Sequence, residues 1–167
     1  MGQTLRSVQR TEEETVQICV FRIGRHTCGL PLDDVLEVAL GLDIRAIPLA
    51  PDKVAGISFL RGTIIQVING KFCMELHDYA LNGNEAYIVL KSQEELFAIA
   101  VDKIDDILQI PKRNFARPPS TLPPSQHELV EGAYLYEQSL IVLLSPTSLC
   151  KIPKTTLSYT PPPGRLD

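Results

Sequence analysis

Short apolar segments alternate with turn residues along most of this chain. Val16–Ile23 is rich in β-branched residues and ends at Gly24-Arg25, after which Thr27–Leu32 resumes the apolar pattern. Short apolar runs bounded by turn residues are typical of strands joined in hairpins. The same pattern recurs in Val35–Leu42, Val54–Leu60, Ile64–Ile68, Tyr87–Leu90, Leu96–Val101, Ile104–Ile110, Ala133–Tyr136 and Leu140–Leu144. We therefore predict an all-β fold built as a small barrel or sandwich.

Helical signals are scarce and short. Lys71–Leu76 and Pro146–Leu149 could each form one or two helical turns, and each directly follows a predicted strand. Helix is therefore a minor part of the predicted fold.

The chain contains an internal repeat. Ile18–Val38 aligns without gaps with Tyr87–Ile107, and Val54–Asn69 aligns without gaps with Val130–Ser145. Both blocks recur in the same order, and each copy ends at a short helical candidate, which is the pattern of a duplicated unit. One interpretation is that the match does not reflect a duplication, because any two β meanders align apolar residue on apolar residue.

Matched glycines and aspartates favour a genuine duplication instead. The alignment places Gly56 on Gly132 and Asp33 on Asp102, and neither match is apolar. We therefore predict two five-stranded β-barrel lobes that share one core, with short helical turns.

The composition changes along the chain and predicts three regions. Residues 1–14 are polar and mixed in charge and are expected to form a flexible arm. Residues 151–167 are rich in proline and are expected to form a flexible tail. The body at 15–150 would then hold the lobes, at about 15–80 and 85–150, and an exchange of strands between them is an open alternative.

Charge and composition exclude several classes of function. With 16 basic and 20 acidic residues the net charge is −4, and no basic stripe for nucleic acid is visible. No apolar run approaches the length of about 18 residues that spans a bilayer, and the N-terminus lacks a signal-peptide pattern. The four cysteines form no CxxC pair. We expect a cytoplasmic protein with no nucleic-acid partner and no membrane insertion.

The candidate catalytic groups are sparse. Cys73 and His77 are four positions apart and could face one way on a helical turn, but a metal would need further ligands. The nucleotide-binding and nucleophile-elbow motifs are missing. We expect no enzymatic activity, no cofactor and no metal. A small metal-binding enzyme built on Cys73, His77 and His127 is the less favoured alternative.

The segment Ile47–Gly62 is the most distinctive of the chain. It reads IPLAPDKVAGISFLRG, with two prolines before a Val-x-Gly strand and a closing Leu-Arg-Gly. Upstream, Val35–Val38 has the form Val-x-Glu-Val. Downstream, Val101–Pro111 begins with Val-Asp and ends with Ile-Pro, and Val130–Ala133 begins a last hairpin. These motifs, in this order over residues 16 to 150, resemble the CheW family of chemotaxis coupling proteins.

The resemblance implies a function without bond making. Proteins of the CheW family are adaptors in which one surface binds a CheA-like histidine kinase and a groove between two SH3-like lobes meets the cytoplasmic tip of a chemoreceptor. Carried over by position, the partner-binding residues are Val35, Glu37, Gly56, Arg61 and Gly62. Localisation would be cytoplasmic, with association to membranes through receptor arrays as a further option.

Each of these residues also has a structural interpretation. Arg61 could satisfy carbonyl groups between the lobes instead of a partner. Gly56 and Gly62 could serve only to permit backbone conformations closed to other residues. Val35 could be a core residue, and Glu37 a solvated charge on a strand edge.

The chain also departs from the family pattern, at Phe59 where Asn is usual and at Asn69-Gly70 where Asp-Leu is common. These departures leave open a CheW-like adaptor of a motility, pilus or response-regulator complex.

Overall fold

The computed structural model describes residues 12–151. Most of the predicted N-terminal arm, residues 1–11, and the predicted tail beyond Lys151 lie outside the described residues. The longest helix between residues 12 and 151 has six residues, so none of the described helices is long and apolar enough to cross a membrane.

Strands dominate the described chain, as the alternation of apolar segments and turns predicts. The strands are β1 Thr15–Ile23, β2 His26–Pro31, β3 Val35–Leu40, β4 Val54–Leu60, β5 Thr63–Asn69, β6 Ala86–Ser92, β7 Glu95–Val101, β8 Lys103–Pro111, β9 Phe115–Ala116, β10 Val130–Tyr136 and β11 Ser139–Leu144. The α-helices are α1 Gly70–Cys73, α2 Pro124–Leu129 and α3 Pro146–Cys150. The predicted all-β class with short helices is confirmed.

The strands form two sheets, and each sheet takes strands from both halves of the chain. One has six strands in the order β8-β1-β2-β11-β10-β9, and the other has five in the order β3-β6-β7-β5-β4. The β1–β2 hairpin therefore joins strands of the second half, and the β6–β7 hairpin joins strands of the first half. Residues 15–80 and 85–150 do not each build a sheet of their own, because each half contributes one hairpin to the sheet of the other half.

The two sheets repeat one plan. In each, an exchanged hairpin lies between an antiparallel edge strand and a parallel neighbour, β11 beside β2 in one sheet and β5 beside β7 in the other. The register shifts at equivalent points of the last hairpins, between Val54 and Gly56 and between Val130 and Gly132. These are β-bulges, which bend a strand. The prediction gave five strands to each lobe. One sheet has a sixth, β9, which has only two residues.

The central core lies between the two sheets. Phe21 and Leu30 from one sheet pack with Phe97 and Ile99 from the other, and all four are buried. Each sheet also has a smaller apolar cluster of its own, around Ile18, Val20, Ile110, Tyr134, Ile141 and Leu143 in one and Ile65, Val67, Tyr87, Val89, Ala98 and Ala100 in the other. The three layers explain why the exchanged strands are apolar on both faces.

Side-chain caps start the helices that follow β5 and β11. The Asn69 side chain accepts a hydrogen bond from the Phe72 N–H, and the Ser145 hydroxyl accepts one from the Ser148 N–H. Such caps satisfy N–H groups that a helix leaves unpaired at its start. The remaining helix, α2, was not predicted; it starts with Pro124, which is tolerated in the first helical turn.

Replacing Gly56 with alanine tests the packing of the bulge. A Cβ at Gly56 would overlap the backbone carbonyl oxygen of Arg45. We expect Gly56→Ala to lower the free energy of unfolding by about 2–4 kcal/mol, measured by denaturant titration. The matched control is Gly83→Ala, where φ is +87° but no atom lies within 4 Å; it should cost only about 1–2 kcal/mol. Equal losses in both variants would contradict the packing argument.

Candidate functional site

The turn between β4 and β5 presents Arg61 and Gly62 to solvent. Their φ angles are +48° and +83°, and two successive positive values in a two-residue connection form a type I′ hairpin turn. Gly62 suits this conformation because it has no Cβ, and no atom lies within 4 Å of the position a Cβ would take. The same turn geometry occurs at Glu137-Gln138, so the positive φ of Arg61 follows from the hairpin.

Arg61 forms an ion pair with Glu37 of β3. The guanidinium Nη2 lies 2.9 Å from the Glu37 Oε2, and the two side chains are 80% and 24% exposed. A register shift between Val35 and Glu37 marks a bulge in β3, and bulges change the direction in which a strand presents its side chains. Because the arginine is so exposed, the pair contributes at most about 1 kcal/mol to stability.

The ion pair joins the two edge strands of the five-stranded sheet. β3 and β4 lie at opposite ends of the strand order, and the chain after β3 returns to pair with β4. The Arg45 N–H donates to the Ile57 carbonyl at 2.8 Å, and the Ile57 N–H donates to the Arg45 carbonyl at 2.9 Å. The sheet is therefore curled, and two of the predicted site residues, Glu37 and Arg61, meet where its edges approach.

The remaining predicted site residues lie deeper. Val35 is half-buried and packs against the central core. Gly56 is buried and lies against the Arg45 backbone, so its position fits a role in closing the sheet. Direct contact with a partner would be easiest through Glu37, Arg61 and the backbone of Gly62.

An exposed apolar pair lies next to the Arg61-Gly62 turn. Phe59 and Ile64 are cross-strand partners on β4 and β5, and they are 72% and 66% exposed. The repeat places Leu135 and Leu140 at the equivalent points of the β10–β11 hairpin, where they are also partners and more than half exposed. Exposed apolar side chains that adjoin one another on a hairpin are candidates for a protein contact. The prediction of site residues missed all four, although the repeat aligns apolar residues beside both turns.

The alternative metal site is not assembled among the described residues. Between residues 12 and 151, no group of three or more His, Cys, Asp or Glu side chains is arranged to hold a metal ion. Burial raises the pKa of the Cys73 thiol to about 11, although the Lys53 ammonium opposes the shift. A metal ligand or nucleophile has to be a thiolate, so Cys73 is poorly suited to either role.

Alkylation of Cys73 tests this description of its environment. The rise in thiol pKa from 9.0 to about 11 lowers the thiolate fraction at pH 8 about 100-fold, and burial restricts access further. We expect Cys73 in the folded protein to react with iodoacetamide at least about 100-fold more slowly than in guanidinium-unfolded protein, measured by peptide mass spectrometry. Equal rates would show an accessible thiol with an unshifted pKa and contradict this description, and only a faster reaction in the folded protein would identify an activated thiol and revive the enzymatic alternative.

Comparison with known proteins gives one consistent family. The CheW-like domain profile matches residues 17–153. The chain is 26% identical over 136 residues to the chemotaxis protein CheW of Treponema pallidum, covering 79% of this chain and 80% of that protein. It is 23% identical over 145 residues to the chemotaxis protein CheW of Helicobacter pylori, covering 87% of each.

A solved structure supports the fold. The crystal structure of the scaffolding protein TtCheW from Thermoanaerobacter tengcongensis superposes with a TM-score of 0.77 at 24% identity, over 84% of this chain and 95% of that chain.

Proposed function

This chain belongs to the CheW-like domain family, a family of adaptor proteins, and we propose that it couples a chemoreceptor-type protein to a CheA-like histidine kinase. The coupling is non-enzymatic and takes place in the cytoplasm. Residues 15–150 form the domain that carries it. The observation that supports this function most directly is the ion pair of the exposed Arg61 with Glu37, which lies beside the exposed pair Phe59 and Ile64.

Arg61 has the chemistry of a partner contact. Its guanidinium carries five N–H donors in a fixed fork, and the pair with Glu37 leaves several of them facing solvent because the side chain is 80% exposed. An arginine of this kind binds a carboxylate or a carbonyl of a second protein. The ion pair with Glu37 holds the Arg61 guanidinium in position. Gly62 permits the positive φ angle that the two-residue turn requires.

Phe59 and Ile64 supply the apolar part of the contact. Interfaces derive most of their affinity from a few buried anchors surrounded by polar contacts, and an aromatic beside an arginine is typical of such anchors. Val35 and Gly56 support this contact surface without touching the partner. Val35 packs β3 against the central core, and Gly56 lets β4 lie close to the Arg45 backbone.

The repeat offers two similar contact surfaces on one molecule. The β4–β5 hairpin presents Phe59 and Ile64, and the β10–β11 hairpin presents Leu135 and Leu140. A bridging protein needs two surfaces that can be occupied at the same time. The turn residues differ in charge, Arg61-Gly62 in one and Glu137-Gln138 in the other, so the two surfaces are suited to different partners.

A CheW-like adaptor of a motility, pilus or response-regulator complex is the second candidate. Of the departures that motivate it, Phe59 and Asn69, the second has a structural explanation, because the Asn69 side chain caps α1 and donates to the Tyr79 carbonyl at 2.7 Å. Phe59 is exposed beside Arg61 and is the observation that favours a different partner. Affinity purification from the native cell separates the candidates, since the second predicts a complex without a receptor.

Reversing the charge of Arg61 tests the proposed contact. We expect Arg61→Glu to weaken binding to the kinase or to the receptor fragment by about tenfold or more, measured by calorimetry, with an unchanged circular dichroism spectrum.

The double variant Glu37→Arg/Arg61→Glu is the matched control, because it restores an ion pair between the two positions. If Arg61 contacts a partner, the double variant also binds weakly. Full recovery of both affinities would show that Arg61 only ties β3 to β4, and the assignment of Arg61 as a contact would be wrong.

A further inference from the structure

We propose that a cavity between the six-stranded sheet and α2 binds a small apolar molecule carrying one carboxylate. The cavity has a volume of about 370 Å³, which lies within the range of small-molecule sites. At roughly 30 Å³ for each non-hydrogen atom, as in liquid water, it holds a ligand of about twelve such atoms. This site is separate from the Glu37–Arg61 surface, but it shares Leu140 with the β10–β11 contact surface of the proposed function.

Much of the cavity lining is apolar. It includes Leu129 of α2, Ala133 of β10, and Leu140 and Val142 of β11. Leu140 is 58% exposed, so a ligand that covered it would remove apolar surface from water. Burial of that surface favours an apolar ligand body.

Part of the lining is restrained by its own chemistry and by its neighbours. Pro118 and Pro119 line the cavity, and proline fixes its own backbone φ angle. Gln126 of α2 also lines it, and the Glu75 carboxylate accepts hydrogen bonds from the Ser125 hydroxyl at 3.1 Å and the Gln126 amide at 3.3 Å. Such restraints lower the entropic cost of ordering the lining when a ligand binds.

The lining selects for an anion. It contains Arg117 and His26 and no carboxylate, although the chain as a whole has a net charge of −4. Among the ion pairs and side-chain hydrogen bonds formed within residues 12–151, none involves Arg117 or His26. A guanidinium can bind a carboxylate through two parallel hydrogen bonds. Arg117 is therefore positioned to bind the carboxylate while the apolar part enters the cavity.

The adjoining cavity lacks this selectivity. It is larger, about 680 Å³, and shares Cys73 and Leu129 with the first. Its lining carries the carboxylates of Glu75 and Glu128 and the ammonium groups of Lys53 and Lys151, so the charges balance and no net positive charge attracts an anion. The charge of the lining therefore assigns the carboxylate ligand to the smaller cavity.

Titration with octanoate tests the proposal on the full chain. In two-dimensional amide NMR we expect saturable shifts at Ala133, Leu140 and Val142, with a Kd of about 0.1–1 mM. Octylamine, which has the same apolar chain and the opposite charge, should bind at least about tenfold more weakly.

Two arginine variants make the assignment specific. Arg117→Gln should weaken octanoate binding about tenfold, whereas Arg113→Gln should leave it unchanged, because Arg113 is on the same segment but pairs with Glu13. Ala133→Phe, which places a larger side chain at the cavity lining, should abolish the shifts in a protein whose spectrum remains folded.

The proposal is wrong if octanoate produces no saturable shifts, if octylamine binds as tightly, or if the two arginine variants lose affinity equally. It is also wrong if a protein partner shifts the same amides while octanoate does not, because the cavity would then belong to a protein interface.

Discussion

The burial of one apolar layer between the two sheets is the constraint on which the rest of this structure depends. Phe21 and Leu30 of the β1–β2 hairpin and Phe97 and Ile99 of the β6–β7 hairpin meet in that layer. Each hairpin pairs with strands from the other half of the chain, so neither sheet is complete without it. Because interiors are densely packed, the two lobes cannot separate or slide without exposing this layer. The β4–β5 and β10–β11 hairpins are thereby held at fixed positions on one rigid body, as a bridging protein requires.

Much of the fold could be predicted because its local signals are strong. The alternation of apolar and turn residues identified β1 to β8, β10 and β11, and the repeat implied a two-lobe plan. The sheet order could not be read in the same way, since the parallel pairs β2–β11 and β5–β7 join strands distant in sequence and leave no local pattern. The helix α2 was missed because it is short, begins within a proline-rich stretch and buries only Leu129.

The candidate site was predictable only in part. The family motifs singled out Glu37 and Arg61, but their contact arises because the five-stranded sheet curls and brings its edge strands together. The sequence did not identify Phe59 and Ile64 as contact residues, because an apolar residue on a strand is expected to be buried. Conversely, Asn69 drew attention as a departure in the sequence, and its capping hydrogen bonds explain it without a partner.

The most direct test of this account is the mass of the complex formed when the chain is mixed with its two proposed partners, a CheA-like kinase and a receptor cytoplasmic fragment. Sedimentation equilibrium should detect one species that contains all three proteins, because the two hairpin surfaces lie on one rigid molecule and can be occupied together. Binary complexes alone, with each partner displacing the other, would mean that the partners share one surface and that this chain does not couple them.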